Sequence, residues 1–309
     1  MNTKLYNLLC CPNCKGSLTK KGNTFYCKTC KKNYPIREGI PDFTVTIAEK
    51  GMRLSKLKWE EKYKIDSKKD IFDELNFLEN KFFKPTWEQL KSKKSLRKNE
   101  NFLEIGCGTF YLGRALAKKG YRVIGIDMSI TALKLAKSVF EKEKIKNYLL
   151  VCGNVLEMPF KPDSFDLIYG AGVIEHFKDT KQAVAELYRV TKKKGVVYNT
   201  VPYLNIGSLT YRQVWGNIPR FAVLEPVLTF FHTKLLGAKH MRFGYELSFT
   251  RNYLKKLHKK VGFSLADSGK FKCELDFEYI PFSPLKKLAF YLAENSSLFW
   301  PMIYISAKK

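Results

Sequence analysis

The stretch NFLEIGCGTFYLGRALAKKGYRVIGID, residues 101–127, constrains this chain more than any other. FLEI reads as a buried strand, GCGT as a glycine turn, YLGRALAKKG as a helix, and YRVIGID as a second strand that closes on Asp127. The alternation of strand and helix continues through residues 101–201, which predicts an α/β fold: a parallel sheet with helices on both faces. An open sheet of that kind takes its ligand at the C-terminal ends of its strands, where Gly106, Cys107, Gly108 and Asp127 fall.

Two cofactor classes compete for such a turn. A dinucleotide fold wants G-x-G-x-x-G, with a pyrophosphate at the helix N-terminus. Counting from Gly106, the sixth position is Tyr111. Glu104 also stands two residues before the first glycine, where a carboxylate repels a diphosphate and suits a cation. S-adenosylmethionine carries an amino group and a sulfonium, and its ribose hydroxyls suit an acceptor such as Asp127.

At these residues the chain resembles the class I S-adenosylmethionine-dependent methyltransferases, closest to the small-molecule type of ubiquinone and menaquinone biosynthesis. CGNVLEMPFKPDSFDLIYGAGVIEHFKD (152–179) and ELYRVTKKKGVVYNTVP (186–202) extend the likeness over roughly residues 95–270. The resemblance implies a Rossmann-like sheet. It also implies that Glu104, Gly106, Cys107 and Gly108 line the methionine end of the cofactor, and that Asp127 holds the ribose. Met128 would pack on adenine, Asn154 and Val155 would meet its edge, and Gly170 would lie under the sulfonium end. Three positions depart from the pattern. Phe110 stands where a third glycine is usual, so the helix is expected to sit slightly differently. Asn154 replaces a common Asp, and Lys193 and Lys194 replace proline and glycine before Gly195.

Cys11-Pro-Asn-Cys14 and Cys27-Lys-Thr-Cys30 form two C-x2-C knuckles 12 residues apart. Each turns two sulfurs toward one ion, so Cys11, Cys14, Cys27 and Cys30 predict a closed, structural Zn2+ site, with Cys10 a spectator. The surrounding segment through YPIREGIPDF resembles the small zinc-ribbon proteins that activate tRNA and protein methyltransferases, and the ribbon fused to some ribosomal RNA guanine methyltransferases.

The expected organisation is a zinc ribbon (1–45), a helical linker (46–98) and a methyltransferase domain (99–309), with residues 202–249 an inserted cap. Ile71, Leu75, Leu78 and Phe82 recur at helical spacing in the linker, TRNYLKKLHKKVGF (250–263) is an amphipathic helix, and the tail ends as a strand. His176 is the histidine near the sheet's C-terminal edge, a candidate base whose alternative role is to fix the loop after the fourth strand. Tyr203, Tyr211, His240, Tyr245 and Glu246 fall in the cap, where an acceptor pocket is expected.

The formal net charge of +26 favours anionic partners or, equally, reflects a lysine-biased composition spread along the chain. Two acceptor classes follow. The cap's aromatic and apolar residues, interleaved with Arg220, Lys234, Lys239 and Arg242, suit a small-molecule or lipid-linked acceptor and peripheral contact with a membrane. The ribbon's Lys15, Lys20, Lys21, Lys28, Lys31, Lys32 and Arg37 suit RNA, although no N-P-P-Y-like motif is present. A non-enzymatic scaffold in which the ribbon docks another protein is a third reading, disfavoured by the intact Glu104 and Asp127. The N-terminus carries no apolar h-region or small-residue cleavage site, which predicts a cytoplasmic protein with cysteines as thiols or ligands.

Overall fold

The computed structural model describes residues 1–44, 50–66, 71–206, 218–219, 223–235, 246–271 and 283–309. Four short strands come first: β1 (Leu18–Lys21), β2 (Thr24–Cys27), β3 (Asn33–Arg37) and β4 (Ile40–Pro41). Three helices follow, α1 (Lys50–Asp66), α2 (Ile71–Leu78) and α3 (Lys84–Lys93), with a π-helical turn over Glu79–Phe83 between the last two. The βα series is β5 (Asn101–Ile105), α4 (Tyr111–Lys118), β6 (Arg122–Asp127), α5 (Ile130–Lys142), β7 (Tyr148–Cys152), β8 (Phe165–Ala171), α6 (Thr180–Val190) and β9 (Thr191–Pro202). After it come β10 (Ile218–Pro219), α7 (Leu224–Phe230), β11 (Leu247–Ser248), α8 (Arg251–Val261), β12 (Leu265–Phe271), α9 (Ser283–Asn295) and β13 (Met302–Lys308).

Seven strands form one mixed sheet in the order β12-β13-β9-β8-β5-β6-β7, with helices on both faces. The chain builds outward from β5 through β6 to β7, then crosses back to place β8 on the other side of β5. All three pairings are parallel. The reversal of direction at β5 is the switch point at which an open α/β sheet leaves a crevice beyond its strand ends. Both β5 and β7 are buried along their whole length, as parallel strands covered on two faces must be.

By compactness the chain divides into two units, residues 1–170, 185–197 and 309 in the first, and 171–184 and 198–308 in the second. In the first unit, the four small strands form their own antiparallel sheet, β1-β2-β3-β4. This ribbon is bound along the β7 edge. The Asn2 N–H donates to the Tyr148 carbonyl at 2.9 Å and the Phe43 N–H to the Cys152 carbonyl at 2.8 Å. Leu9 bridges Phe160 and Asp42 bridges Cys152. The ribbon thus covers backbone groups that a bare edge strand would leave open to another chain.

Residues 46–98 were expected as a helical linker, and their described part is helical, α1 to α3 with the π-helical turn. Leu75, Trp87 and Leu90 are buried. The buried Arg114 guanidinium of α4 binds the Glu143 carboxylate, with Nε to Oε2 at 2.7 Å, and reaches Asn76 at 3.1 Å and Glu79 at 3.2 Å. A buried guanidinium is tolerable only with such complete pairing, so it fixes α2 and the π-helical turn against α4.

In the second unit β12 and β13 pair antiparallel from Leu265↔Lys308 to Phe271↔Met302, and Tyr198 stacks on Tyr304 at 5.1 Å. Helix α8 starts at an N-cap, Thr250, whose hydroxyl accepts the Tyr253 N–H, and stops at Gly262 with φ 127°. The described part of the expected cap comprises residues 202–206, where Tyr203 bridges Phe249, the β10–β11 pair, α7 and the turn after it. Tyr211, Arg220, Lys239, His240, Arg242 and Tyr245 lie outside the described residues.

Candidate functional site

The glycine turn sits between the ends of β5 and β6, and its shape is set by backbone donors turned onto two carboxylates. Asp127 accepts the Gly108 N–H on one oxygen and the Ser129 N–H on the other, both at 2.8 Å. Glu104 accepts the Gly113 N–H of α4 at 3.2 Å. Both side chains are buried, and neither has an ion-pair partner among the described residues. Burial pushes the Glu104 carboxyl up to about 8, against the pull of the Gly113 N–H and helped by the Asp127 charge. Burial also raises Asp127, opposed by the Ser129 and Gly108 N–H groups and reinforced by Glu60.

Glu60 comes from α1. Its carboxylate accepts the Ile130 N–H at 2.8 Å and the Thr131 N–H at 3.3 Å, capping the N-terminus of α5 where free donors otherwise remain. One turn later Tyr63 lies on the glycine turn. A Cβ on Gly108 would meet the Tyr63 hydroxyl at 2.3 Å, and Gly108 has φ 51°, so a side chain here would be strained and would have to displace the Tyr63 hydroxyl. Lys56 of the same helix donates to the Thr44 hydroxyl at 2.7 Å, which in turn donates to Asp42 at 2.6 Å. The helix read from sequence as linker therefore forms part of the candidate site. The signal was present in KWEEKY, where Trp59 and Tyr63 are four residues apart and stack at 6.0 Å.

The other expected cofactor residues fall around the same loops. Met128 follows Asp127, and its carbonyl accepts from the Cys152 thiol at 3.6 Å. Asn154 caps the short turn Val155–Glu157 by accepting the Leu156 N–H at 3.0 Å, which leaves its second lone pair and its amide protons for a ligand. Gly170 lies in register with Ile105 on β8. Cys107 is buried, its thiol raised well above the usual range by that burial. His176 ends the short helix Ile174–His176 in the second unit.

Phe110, at the N-cap of α4, has a left-handed backbone with φ 62° and ψ 42°. Its fully buried ring stacks on Phe140 at 5.6 Å and an interplanar angle of 6°. Room for the ring comes from two glycines. A Cβ on Gly113 would stand 2.1 Å from it and one on Gly125 3.1 Å.

In the ribbon, the sulfurs of Cys11, Cys14, Cys27 and Cys30 lie within 4.8 Å of one another. Four thiols in a closed group without a carboxylate or an open position are a donor set for tetrahedral zinc in a structural role. Cys10 is buried but outside the group. The Tyr34 hydroxyl lies 3.1 Å from the Cys11 sulfur, an outer contact that would orient a ligand. Replacing Cys27 and Cys30 together with Ser is expected to drop bound zinc from one equivalent to none and to lower the melting temperature. Elemental analysis showing unchanged zinc would refute the site.

Comparison with known proteins agrees with this geometry. Residues 103–199 match the methyltransferase domain family, and residues 2–39 match the Trm112p-like proteins. The malonyl-[acyl-carrier protein] O-methyltransferase of Serratia marcescens is 32% identical over 110 residues, 36% of this chain and 41% of that protein. The demethylmenaquinone methyltransferase of Lactiplantibacillus plantarum is 34% identical over 109 residues, 34% of this chain and 46% of that protein. The chain thus spans about half or less of the curated relatives it matches. In fold it is similar to Haemonchus contortus phosphoethanolamine N-methyltransferase 2, solved with phosphomonomethylethanolamine and S-adenosylhomocysteine. That likeness has a TM-score of 0.51 at 21% identity and covers 75% of this chain and 59% of that one. Residues 103–199 are a methyltransferase domain and the N-terminal segment is Trm112p-like.

Proposed function

We propose that the chain is an S-adenosylmethionine-dependent methyltransferase acting on a small-molecule or lipid-linked acceptor. The observation that carries this reading is the pair of buried carboxylates, Glu104 and Asp127, held by backbone donors at adjacent strand ends with no cation partner among the described residues. A site so built is hostile to a diphosphate and suits a ligand with an ammonium group and sugar hydroxyls. The cofactor supplies an electrophilic methyl group on a sulfonium.

The chain's residues then divide the work. Glu104, with Gly106, Cys107 and Gly108, binds the amino-acid end. Asp127 accepts the ribose hydroxyls through its remaining lone pairs, Met128 packs on adenine, and Asn154 and Val155 meet its edge. Gly170 leaves space near the sulfonium. His176 is the candidate base where the acceptor must lose a proton. Functionally we keep the division into ribbon (1–45), helical segment (46–98) and catalytic domain (99–309) with a cap at 202–249, and place the protein in the cytoplasm with peripheral membrane contact. No helix among the described residues is long and apolar enough to cross a membrane.

A second reading is methylation of RNA, favoured by the Trm112p-like match and by the exposed Lys20, Lys28 and Lys31 of the ribbon. Methyl-labelled S-adenosylmethionine, the purified protein and an extract of its own cells separate the two. Label in the organic-soluble or small-molecule fraction supports the first reading, and label in RNA overturns it for the second.

A further inference from the structure

The amino-acid end of S-adenosylmethionine is a zwitterion, and Glu104 answers only its cation. A further carboxylate brought beside the buried Glu104 and Asp127 is repelled unless a donor is turned onto it. The backbone near the glycine turn is already committed. The Cys107 N–H donates to the Ile126 carbonyl at 3.1 Å and the Phe110 N–H to the Cys107 carbonyl at 2.7 Å. The Gly108 N–H serves Asp127 at 2.8 Å and the Gly113 N–H serves Glu104 at 3.2 Å. With these four donors engaged inside the protein, a donor from another element is called for.

Helix α1 brings one. The Tyr63 hydroxyl stands only 2.3 Å from the position of a Cβ on Gly108, in the space that the missing side chain leaves over the turn. The half-buried Tyr63 ring stacks on Trp59 at 6.0 Å, and the Lys62 ammonium lies 4.4 Å from its centroid. That cation fixes the ring and adds positive charge beside two carboxylates. The helix is fastened from two directions. Lys56 donates to the Thr44 hydroxyl at 2.7 Å, and Glu60 accepts the Ile130 and Thr131 N–H groups at 2.8 and 3.3 Å. Tyr63 follows Glu60 by about one helical turn, so the contact that seats Glu60 also aims the phenol. The hydroxyl is in place before a ligand arrives, and little ordering entropy opposes its use.

We propose that Tyr63 is a cofactor-binding residue whose phenolic O–H donates to the α-carboxylate of S-adenosylmethionine, completing a site in which Glu104 takes the ammonium group. The assignment rests on the S-adenosylmethionine reading and extends it to the cofactor's one anionic group.

The test compares two ligands by calorimetry on the full chain. S-adenosylmethionine carries the ammonium, the sulfonium and the carboxylate, whereas decarboxylated S-adenosylmethionine keeps both cations and lacks the carboxylate. Tyr63→Phe retains the ring, its stacking on Trp59 and its contact with Lys62. It is expected to weaken S-adenosylmethionine about tenfold or more and to leave the decarboxylated ligand within about twofold of the parent. Glu104→Gln should lose both ligands, since both carry the ammonium group. Equal losses of the two ligands in Tyr63→Phe would mean that the residue only props α1 against the turn. Unchanged affinity for S-adenosylmethionine would mean that the hydroxyl makes no contact with it. Either result overturns the proposal and leaves the cofactor reading intact. Binding of neither ligand to the parent would instead overturn the cofactor reading, and the assignment of Tyr63 with it.

Discussion

Glu104→Gln is expected to abolish S-adenosylmethionine binding and, at the same time, to make the cofactor-free protein more stable above about pH 8. The carboxyl is raised from 4.5 to about 8 because it is buried beside Asp127 with one backbone donor for company. Below the lower value it is neutral in both the folded and the unfolded chain. Between the two values the unfolded chain is ionised and the folded one holds its proton, so stability falls as pH rises through that window. Above about 8 the folded protein carries the full cost of a buried anion, on the order of 3–5 kcal/mol. Gln cannot ionise, and its carbonyl oxygen still accepts the Gly113 N–H, so most of that slope should vanish. Asp127 is raised as well and leaves a smaller one. An ammonium group bound beside Glu104 favours the carboxylate. Cofactor binding below about pH 8 should therefore release a proton, visible by calorimetry in buffers of different ionisation enthalpy. Unchanged affinity in the variant, or an unchanged dependence of stability on pH, would remove Glu104 from the site.

The sheet and its glycine turn were legible because local pattern and global fold agree there: apolar strands alternate with helices from residue 101 to 202, with Gly106 and Gly108 in the turn and Asp127 closing β6. The zinc site was legible because two C-x2-C knuckles specify their own geometry, and the four sulfurs do converge. What sequence did not show was how distant segments meet. Nothing local to Asp42 or Phe43 says that they pair with Cys152 along an edge strand, since that contact depends on the open edge of β7 and not on their own side chains. The role of α1 was missed for a related reason. Lys and Glu dominate its sequence and mask the apolar period, while Glu60 and Tyr63 act through donors and space that belong to residues 108, 130 and 131. How Phe110 is accommodated was not legible, because the room for its ring lies at Gly113 and Gly125, positions whose absence of a side chain carries no signal of its own.

That compensation makes a test with an unusual sign. Gly113→Ala alone places a methyl 2.1 Å from the ring of Phe110, which is fully buried and stacked on Phe140. The ring has nowhere to go, so the substitution is expected to cost about 3 kcal/mol or more, at the upper end of overpacking. Phe110→Gly alone relieves about 1 kcal/mol of left-handed backbone strain but empties a ring-sized space, a net loss of about 2–4 kcal/mol. In the double variant the added methyl enters space the ring has left. Ala is also favoured over Gly inside a helix by about 1 kcal/mol. Gly113→Ala should therefore change from strongly destabilising to neutral or stabilising once Phe110 is Gly, a coupling at or beyond the usual limit of about 3 kcal/mol for touching residues. Chemical denaturation of the four proteins measures it directly. Additive effects would mean that the ring does not occupy the space of Gly113, and that the left-handed Phe110 is held by some other contact. The same cycle bears on the cofactor, because the Gly113 N–H is the donor that holds Glu104. The double variant keeps that N–H and should keep cofactor affinity within about threefold of the parent, whereas Gly113→Ala alone, by forcing α4 away from the ring, should weaken it about tenfold or more.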